Sequence, residues 1–235
     1  MRQTESDTKF VFTHIPRTAG TALRRALEEK FGQENLLLDY HQPFSDGPIQ
    51  RTLKCLVPNP PTKNIPRKII YGHFLTAKYA DFNGWGFKKR SDFRYIVFLR
   101  EPLERALSQY YFWKHTGKQG NKTWPKFHAD NTSLERFLTS RYFSNLQSKF
   151  IYGFGSEQFD FVGLQEDYAR SLEVLGERFP LFRGLKPLLL NTGASYRETE
   201  KYELPPALKE QFKKLNQKDY RLYEKAIMLA RSWKS

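Results

Sequence analysis

Residues 93–115 read FRYIVFLREPLERALSQYYFWKH. The run Phe93–Leu99, broken only by Arg94, is the length of a strand. Its near-continuous apolar character fits a strand buried on both faces, as in the middle of a parallel sheet. One arginine later the chain enters a predicted helix, Glu101 to His115, with Pro102 near the first helical position. Between strand and helix there is no room for a hairpin turn. A strand that feeds a helix directly is half of a βαβ unit.

The same grammar repeats outward from this stretch. Lys9 to Ile15 (KFVFTHI) is a short apolar run read as a strand. A turn, PRTAG, follows, and then Thr21 to Phe31 places Leu23, Ala26, Leu27 and Phe31 at helical spacing, with Gly32 as the stop. Leu36 to Leu38 and Lys68 to Tyr71 are further strands, the latter ended by Gly72. Residues 41–66 hold six of the 13 prolines and read as a long irregular connection. Residues 80–92, with GWGFKKR, read as an exposed basic and aromatic loop. After a polar stretch at 116–131, Ser133 to Arg141 and Asn145 to Tyr152 look helical. Asp160 to Leu164 is a strand followed by a helix at 166–178, and helices near 205–215 and 217–233 close the chain. Strands alternating with helices predict a three-layer α/β domain, a central parallel sheet flanked by helices, spanning 1–235 as one unit. No internal repeat or low-complexity tract interrupts it.

Composition narrows the class. The chain has 235 residues, 39% hydrophobic and 16% aromatic, enough apolar surface for a core without staples. Its one cysteine, Cys55, excludes an intrachain disulfide framework and a cysteine-cluster metal site. No apolar run approaches the roughly 20 residues that span a bilayer, and the N-terminal MRQTESDTKFVF has no signal-peptide core. A soluble protein of a reducing compartment is expected. Lys and Arg number 39 against 25 Asp and Glu, a net charge of +14. Such a field concentrates anions, whether nucleic acid, lipid, glycan or a phosphorylated small molecule. A generally basic, solvated surface accounts for it equally.

Two segments carry chemistry. In FVFTHIPRTAGTAL, Phe10 to Leu23, a buried strand enters a tight turn bearing a cation, a glycine and two threonines, then a helix. Unpaired N–H groups at the helix start, with the helix dipole, form an anion site. Gly20 permits close approach, Thr18 and Thr21 offer hydroxyls, and Arg17 adds a permanent charge. An ordinary strand–helix turn with a threonine cap is the alternative. The spacing is not that of a Walker A loop, which needs a second upstream glycine and a lysine before the Ser/Thr. The second segment is the strand end at Arg100. P-loop NTPases often place there an aspartate that holds Mg²⁺; here a fixed cation stands beside Glu101, so two arginines can neutralise a ligand without metal. Ser108, eight residues on, shares a rough helix face with Arg100, although its hydroxyl could also bond back to the helix.

Together these segments resemble the carbohydrate sulfotransferases related to heparan sulfate 2-O-sulfotransferase. THIPRTAGTAL is similar to that family's 5′-phosphosulfate loop, HIPKTAGTSL, and YIVFLREPLERALSQYYF to its 3′-phosphate motif. NLQSKFIYGF and FDFVGLQEDYARSLEVL resemble later stretches, so the likeness runs in pieces from about Lys9 to about Leu175. The resemblance implies a P-loop-like fold and 3′-phosphoadenosine 5′-phosphosulfate as donor, with no metal. It places Arg17, Thr18, Ala19, Gly20, Thr21 and Ala22 around the 5′-phosphosulfate, and Arg100 and Ser108 on the 3′-phosphate. Arg17 stands where the family has Lys, and Ala22 where it has Ser. Relatives in eukaryotes are membrane-anchored in the Golgi, so a cytoplasmic bacterial-type protein or a trimmed catalytic domain is expected.

Transfer to an alcohol needs a base. His73 follows Gly72 at a strand end, where ligands of open α/β sheets lie, and it resembles a family base. His14 reads as support for the turn. Glu101, Asp81 and Asp92 are the fallback bases. Residues 41–66, 80–92 and 114–131, with Trp85, Lys88, Lys89, Arg90, Trp113, Lys114 and Trp124, are the expected walls of an acceptor cleft suited to a glycan; solvated charges and packing aromatics are the plainer reading. The expectation is a sulfotransferase acting on a hydroxyl of a carbohydrate. A P-loop kinase and a polyanion-binding module are the alternatives.

Overall fold

A computed structural model describes residues 8–40, 47–56, 68–120, 132–188 and 204–232. In chain order the elements are β1 (Lys9–Thr13), α1 (Gly20–Phe31), β2 (Leu36–Asp39), α2 (Pro48–Leu56), β3 (Ile69–Gly72), β4 (Asp81–Phe82), β5 (Phe87–Lys88), β6 (Phe93–Leu99), α3 (Pro102–Gly120), α4 (Leu134–Leu138), α5 (Leu146–Phe150), β7 (Phe161–Leu164), α6 (Tyr168–Arg178), α7 (Pro206–Leu215) and α8 (Gln217–Ser232). Five strands form one parallel sheet in the order β2-β3-β1-β6-β7. The expected α/β architecture, a parallel sheet flanked by helices, is what the chain adopts.

Side-chain alternation along each strand divides the interior in two. Phe10, Phe12, Ile96 and Phe98 face a core closed by Leu23 and Leu27 of α1 and Leu172 and Leu175 of α6. Val11, Ile70, Tyr95 and Val97 face the opposite core, closed by Tyr110 and Trp113 of α3, Phe150 of α5 and Ala226 of α8. Both faces are covered, which is why β6 is apolar at every position but Arg94.

Several expected boundaries move. The helices expected over Ser133–Arg141 and Asn145–Tyr152 are single turns. Ser133 caps α4 by accepting from the Arg136 N–H, and Asn145 enters α5 in the left-handed region at φ 50°. Within the connection expected over 41–66, residues 48–56 are helical and the remainder lies outside the described residues. So do His41, Trp124 and His128. The loop expected over 80–92 contains the antiparallel hairpin β4–β5.

That hairpin sits away from the site. Its exit, Asp92, accepts a hydrogen bond from the N–H of Lys9, the first residue of β1. It therefore lies at the edge where the parallel strands begin, not where they end. Trp85 is 98% exposed there, Lys89 pairs with Asp160 and Arg90 with Asp92. Trp113 is 2% exposed and belongs to the core. The expectation that 80–92 and Trp113 wall the acceptor cleft is thus corrected, and Asp81 and Asp92 cannot reach a base's position.

Candidate active site

Parallel register brings three strand ends together. Thr13 of β1 lies beside Gly72 of β3 and Val97 of β6. The residues that follow, His14, His73 and Arg100, therefore emerge at one edge of the sheet.

The loop after β1 is held from within. Arg17 and Ala19 both take left-handed backbone angles, φ 71° and 64°. Such angles are costly for side-chain-bearing residues and persist where surroundings enforce them. The Thr18 hydroxyl donates to the Ile15 carbonyl, and Thr18 is buried. Its hydroxyl is therefore committed to the turn, and Thr18 can serve an anion only through its backbone. Ala19 stands at the cap of α1 with no side-chain cap bond, so the threonine-capped turn weighed above does not form. The first N–H groups of α1 stay available to an anion. A Cβ on Gly20 would fall 1.8 Å from the His14 ring, so the loop closes onto that ring only with glycine. Tyr71 fixes the arrangement by donating to the Gly20 carbonyl at 2.6 Å. Thr21 is exposed on the first turn and Ala22 is buried beneath it.

The second motif meets the first. Arg17 Nε donates to Ser108 Oγ at 3.0 Å, and its guanidinium stacks 4.6 Å over the Phe112 ring. Arg100 Nη1 donates to the Arg17 carbonyl at 3.3 Å, and Arg100 Nη2 lies 3.6 Å from Glu104. Residues assigned by resemblance to two different phosphates are thus in direct contact. A serine hydroxyl accepts and donates at once. Ser108 can take the Arg17 N–H and still offer its own proton to a phosphate.

Sequence reading missed what holds Arg100. Gln147 of α5, fully buried, accepts from the Arg100 N–H at 3.0 Å and donates to the Arg100 carbonyl at 2.8 Å. Asp219 of α8 in turn accepts from the N–H groups of Gln147 and Ser148 and from the Ser148 hydroxyl. These partners lie 47 to 72 residues apart, beyond any periodicity; the NLQSKF match was the only signal.

His73 is set as a base would be. Its Nδ1 lies 2.6 Å from the His14 carbonyl. A carbonyl only accepts, so Nδ1 carries the proton and Nε2 holds the free lone pair. Burial, partly opposed by that hydrogen bond, pulls its pKa down to about 4. The His14 ring stacks 4.2 Å from it and is itself pushed well below the usual range by burial and by the neighbouring His73, Arg24 and Arg17. Tyr40, which the sequence did not single out, approaches the His73 ring edge-on at 5.0 Å. Gly72 lets the chain turn into His73, since a Cβ there would lie 1.7 Å from the Asp39 carbonyl. Glu101, the fallback base, accepts from the Glu104 N–H at 2.6 Å and so caps the first turn of α3.

No protein-family model matches the chain, and no curated protein matches its sequence. Among solved structures, a mouse sulfotransferase complexed with PAP is similar at 14% identity. The match covers 95% of this chain and 91% of that one, with a TM-score of 0.46. Among the described residues, no helix is long and apolar enough to cross a membrane.

Proposed function

We propose that this chain is a single sulfotransferase domain over 1–235, taking 3′-phosphoadenosine 5′-phosphosulfate as donor and a hydroxyl, on a carbohydrate, as acceptor. The observation that carries the reading is the convergence of Arg17, Ser108 and Arg100 beside His73 at the C-terminal edge of the sheet. Two arginines and an uncapped helix start suit a doubly phosphorylated nucleotide. The end of β6, which carries a metal-binding aspartate in many kinases, carries Arg100.

In this reading Arg100 and the Ser108 hydroxyl hold the 3′-phosphate. The backbone of Arg17–Ala22 lines the 5′-phosphosulfate, and the Arg17 guanidinium neutralises charge on the departing phosphate oxygen. When bound, the donor supplies the sulfuryl group. His73 Nε2 accepts the proton of the attacking hydroxyl, while Nδ1–H, bonded to the His14 carbonyl, keeps the ring oriented and steadies the imidazolium that results.

The test is a thermal-shift and calorimetry panel with 3′,5′-adenosine bisphosphate, ADP and ATP with magnesium, and heparin. The bisphosphate is expected to bind selectively, with no change on adding EDTA. Arg100→Ala is expected to weaken it about ten- to hundredfold, the loss of one or two charge-assisted bonds of about 1.5–3 kcal/mol. Selective stabilisation by ATP with magnesium would indicate a kinase, and by heparin alone a polyanion binder; either overturns the reading.

A further inference from the structure

On α3, one turn before Ser108, lies Arg105. It is 3% exposed, yet its Nε and Nη1 make no hydrogen bond, and one turn further on the buried Gln109 Oε1 is also without a partner. A permanently charged guanidinium taken out of water without partners is among the costliest placements in a protein. The carboxylate whose field it feels is no remedy. Asp219 is felt electrostatically by Arg105, but no ion pair joins them among the described residues, and the Asp219 oxygens are committed to Gln147 and Ser148. Every other charge that Arg105 feels is positive: Arg100 and Arg17.

The surroundings extend this excess. Lys149 of α5 feels both Arg105 and Arg51 of α2, with Asp219 again the only opposing charge. Its ammonium donates to the Tyr142 carbonyl at 2.8 Å, a neutral partner. Phe150, the next residue, packs against the His73 ring at 6.0 Å. On the helical wheel Arg105 and Gln109 adjoin Ser108 and Phe112, the residues that touch Arg17. The guanidinium is thus buried within the electrostatic reach of Arg100, Arg17 and Asp219, on the helix that carries Ser108.

We infer that Arg105, with Gln109 one turn along the same helix, forms a second oxyanion subsite, separate from the residues that hold the nucleotide phosphates, and that Lys149 lies within its electrostatic reach. The forked N–H groups of Arg105 match a carboxylate or sulfate bidentately, and Gln109 Oε1 accepts a hydroxyl carried alongside. The inference rests on the sulfotransferase reading. The oxyanion has two sources, the sulfuryl group of the donor or an acidic group on the acceptor, and the chemistry of recognition is the same.

The probe is inorganic sulfate, titrated into the protein saturated with 3′,5′-adenosine bisphosphate, which fills the phosphate positions and leaves this one free. The wild type is expected to bind sulfate, and Arg105→Gln to bind it at least tenfold more weakly, with bisphosphate affinity unchanged within twofold. Lys149→Gln separates the sources. A matching loss of sulfate affinity assigns the subsite to the acceptor side, and no loss assigns it to the sulfuryl group. Absence of sulfate binding, an unaltered Arg105→Gln, or an equal fall in bisphosphate affinity overturns the subsite and leaves Arg105 as a structural residue or a nucleotide ligand. If Arg105→Gln does not fold, Arg105→Lys keeps the charge but not the fork and carries the same test. If the bisphosphate does not bind the wild type at all, the functional reading fails. The subsite is then decided by sulfate titration of Arg100→Ala with and without Arg105→Gln.

Discussion

Replacing His73 by Asn should make the protein more resistant to acid, relative to wild type, by an amount the structure sets. In the folded protein burial holds His73 at about 4, against about 6.5 for a histidine in an unfolded chain. The unfolded state therefore binds a proton at pH values where the native state does not. Stability is at its full value above pH 6.5 and is lost as pH falls toward 4. Between pH 7 and pH 4.5 this one group should cost the wild type about 2.5 kcal/mol. Asn cannot titrate, and its amide N–H can replace Nδ1–H as donor to the His14 carbonyl. Urea unfolding of both proteins at half-unit intervals from pH 7.5 to 4.5 is the measurement. The difference between the two curves removes every carboxylate they share. The wild type should lose about 2.5 kcal/mol relative to the variant, mostly below pH 6. A difference that stays constant across the range would refute the burial of His73 as a neutral ring. His14, lowered by burial and by His73, is common to both proteins, although its own loss should lessen slightly once His73 can no longer take a charge.

Three further outcomes follow from the same geometry. His73→Ala should lower turnover by about 10²–10⁴ with little change in bisphosphate affinity, and wild-type kcat/KM should stay level down to about pH 5 and fall only near pH 4; steady-state rates across pH check both. Arg17→Ala should reduce turnover by about 10²–10³, whereas Arg17→Lys should stay active but bind the bisphosphate several-fold more weakly, because an ammonium loses the Nε bond to Ser108; full turnover in Arg17→Ala would reduce the residue to a turn former. Gly20→Ala drives a methyl into the His14 ring, so it should destabilise by about 1–3 kcal/mol and, by moving the carbonyl that orients His73, harm turnover more than nucleotide affinity.

What could be read in advance follows from the geometry of a parallel sheet. Strands running the same way end at the same edge, so any residue directly after an apolar run is placed there without knowledge of the fold. His73 and Arg100 were legible for that reason, whereas His14, read inside a strand from Lys9 to Ile15, follows a β1 that ends at Thr13. The middle of a crossover is not so constrained, because the chain must travel from one edge back to the other. Residues 80–92 fall in the crossover from β3 to β6, and nothing in GWGFKKR says which edge it adorns. The hydrogen bond from Lys9 to Asp92 puts it at the wrong one. Trp113 failed for a related reason, since an aromatic on a helix serves core and cleft alike.

The direction of a side chain was less legible than its place. Arg17 has a left-handed backbone and lies over the face of Phe112, and its Nε donates to Ser108, a contact between the two motifs that no spacing announces. Left-handed angles at Arg17 and Ala19, neither of them glycine, leave no mark on a sequence. Gln147, Asp219 and Arg105 are harder still. Each is a single polar residue in an amphipathic helix, indistinguishable by pattern from its solvated neighbours, and each acts only because elements tens of residues apart meet at the Arg100 corner. That corner joins the two levels of description. The same α5 whose Gln147 fixes the backbone of Arg100 carries Phe150 against His73. One five-residue helix, shorter than the Asn145–Tyr152 segment expected, thus links the cation at the end of β6 to the histidine at the end of β3, and under the proposed function its displacement should disturb nucleotide binding and proton transfer together.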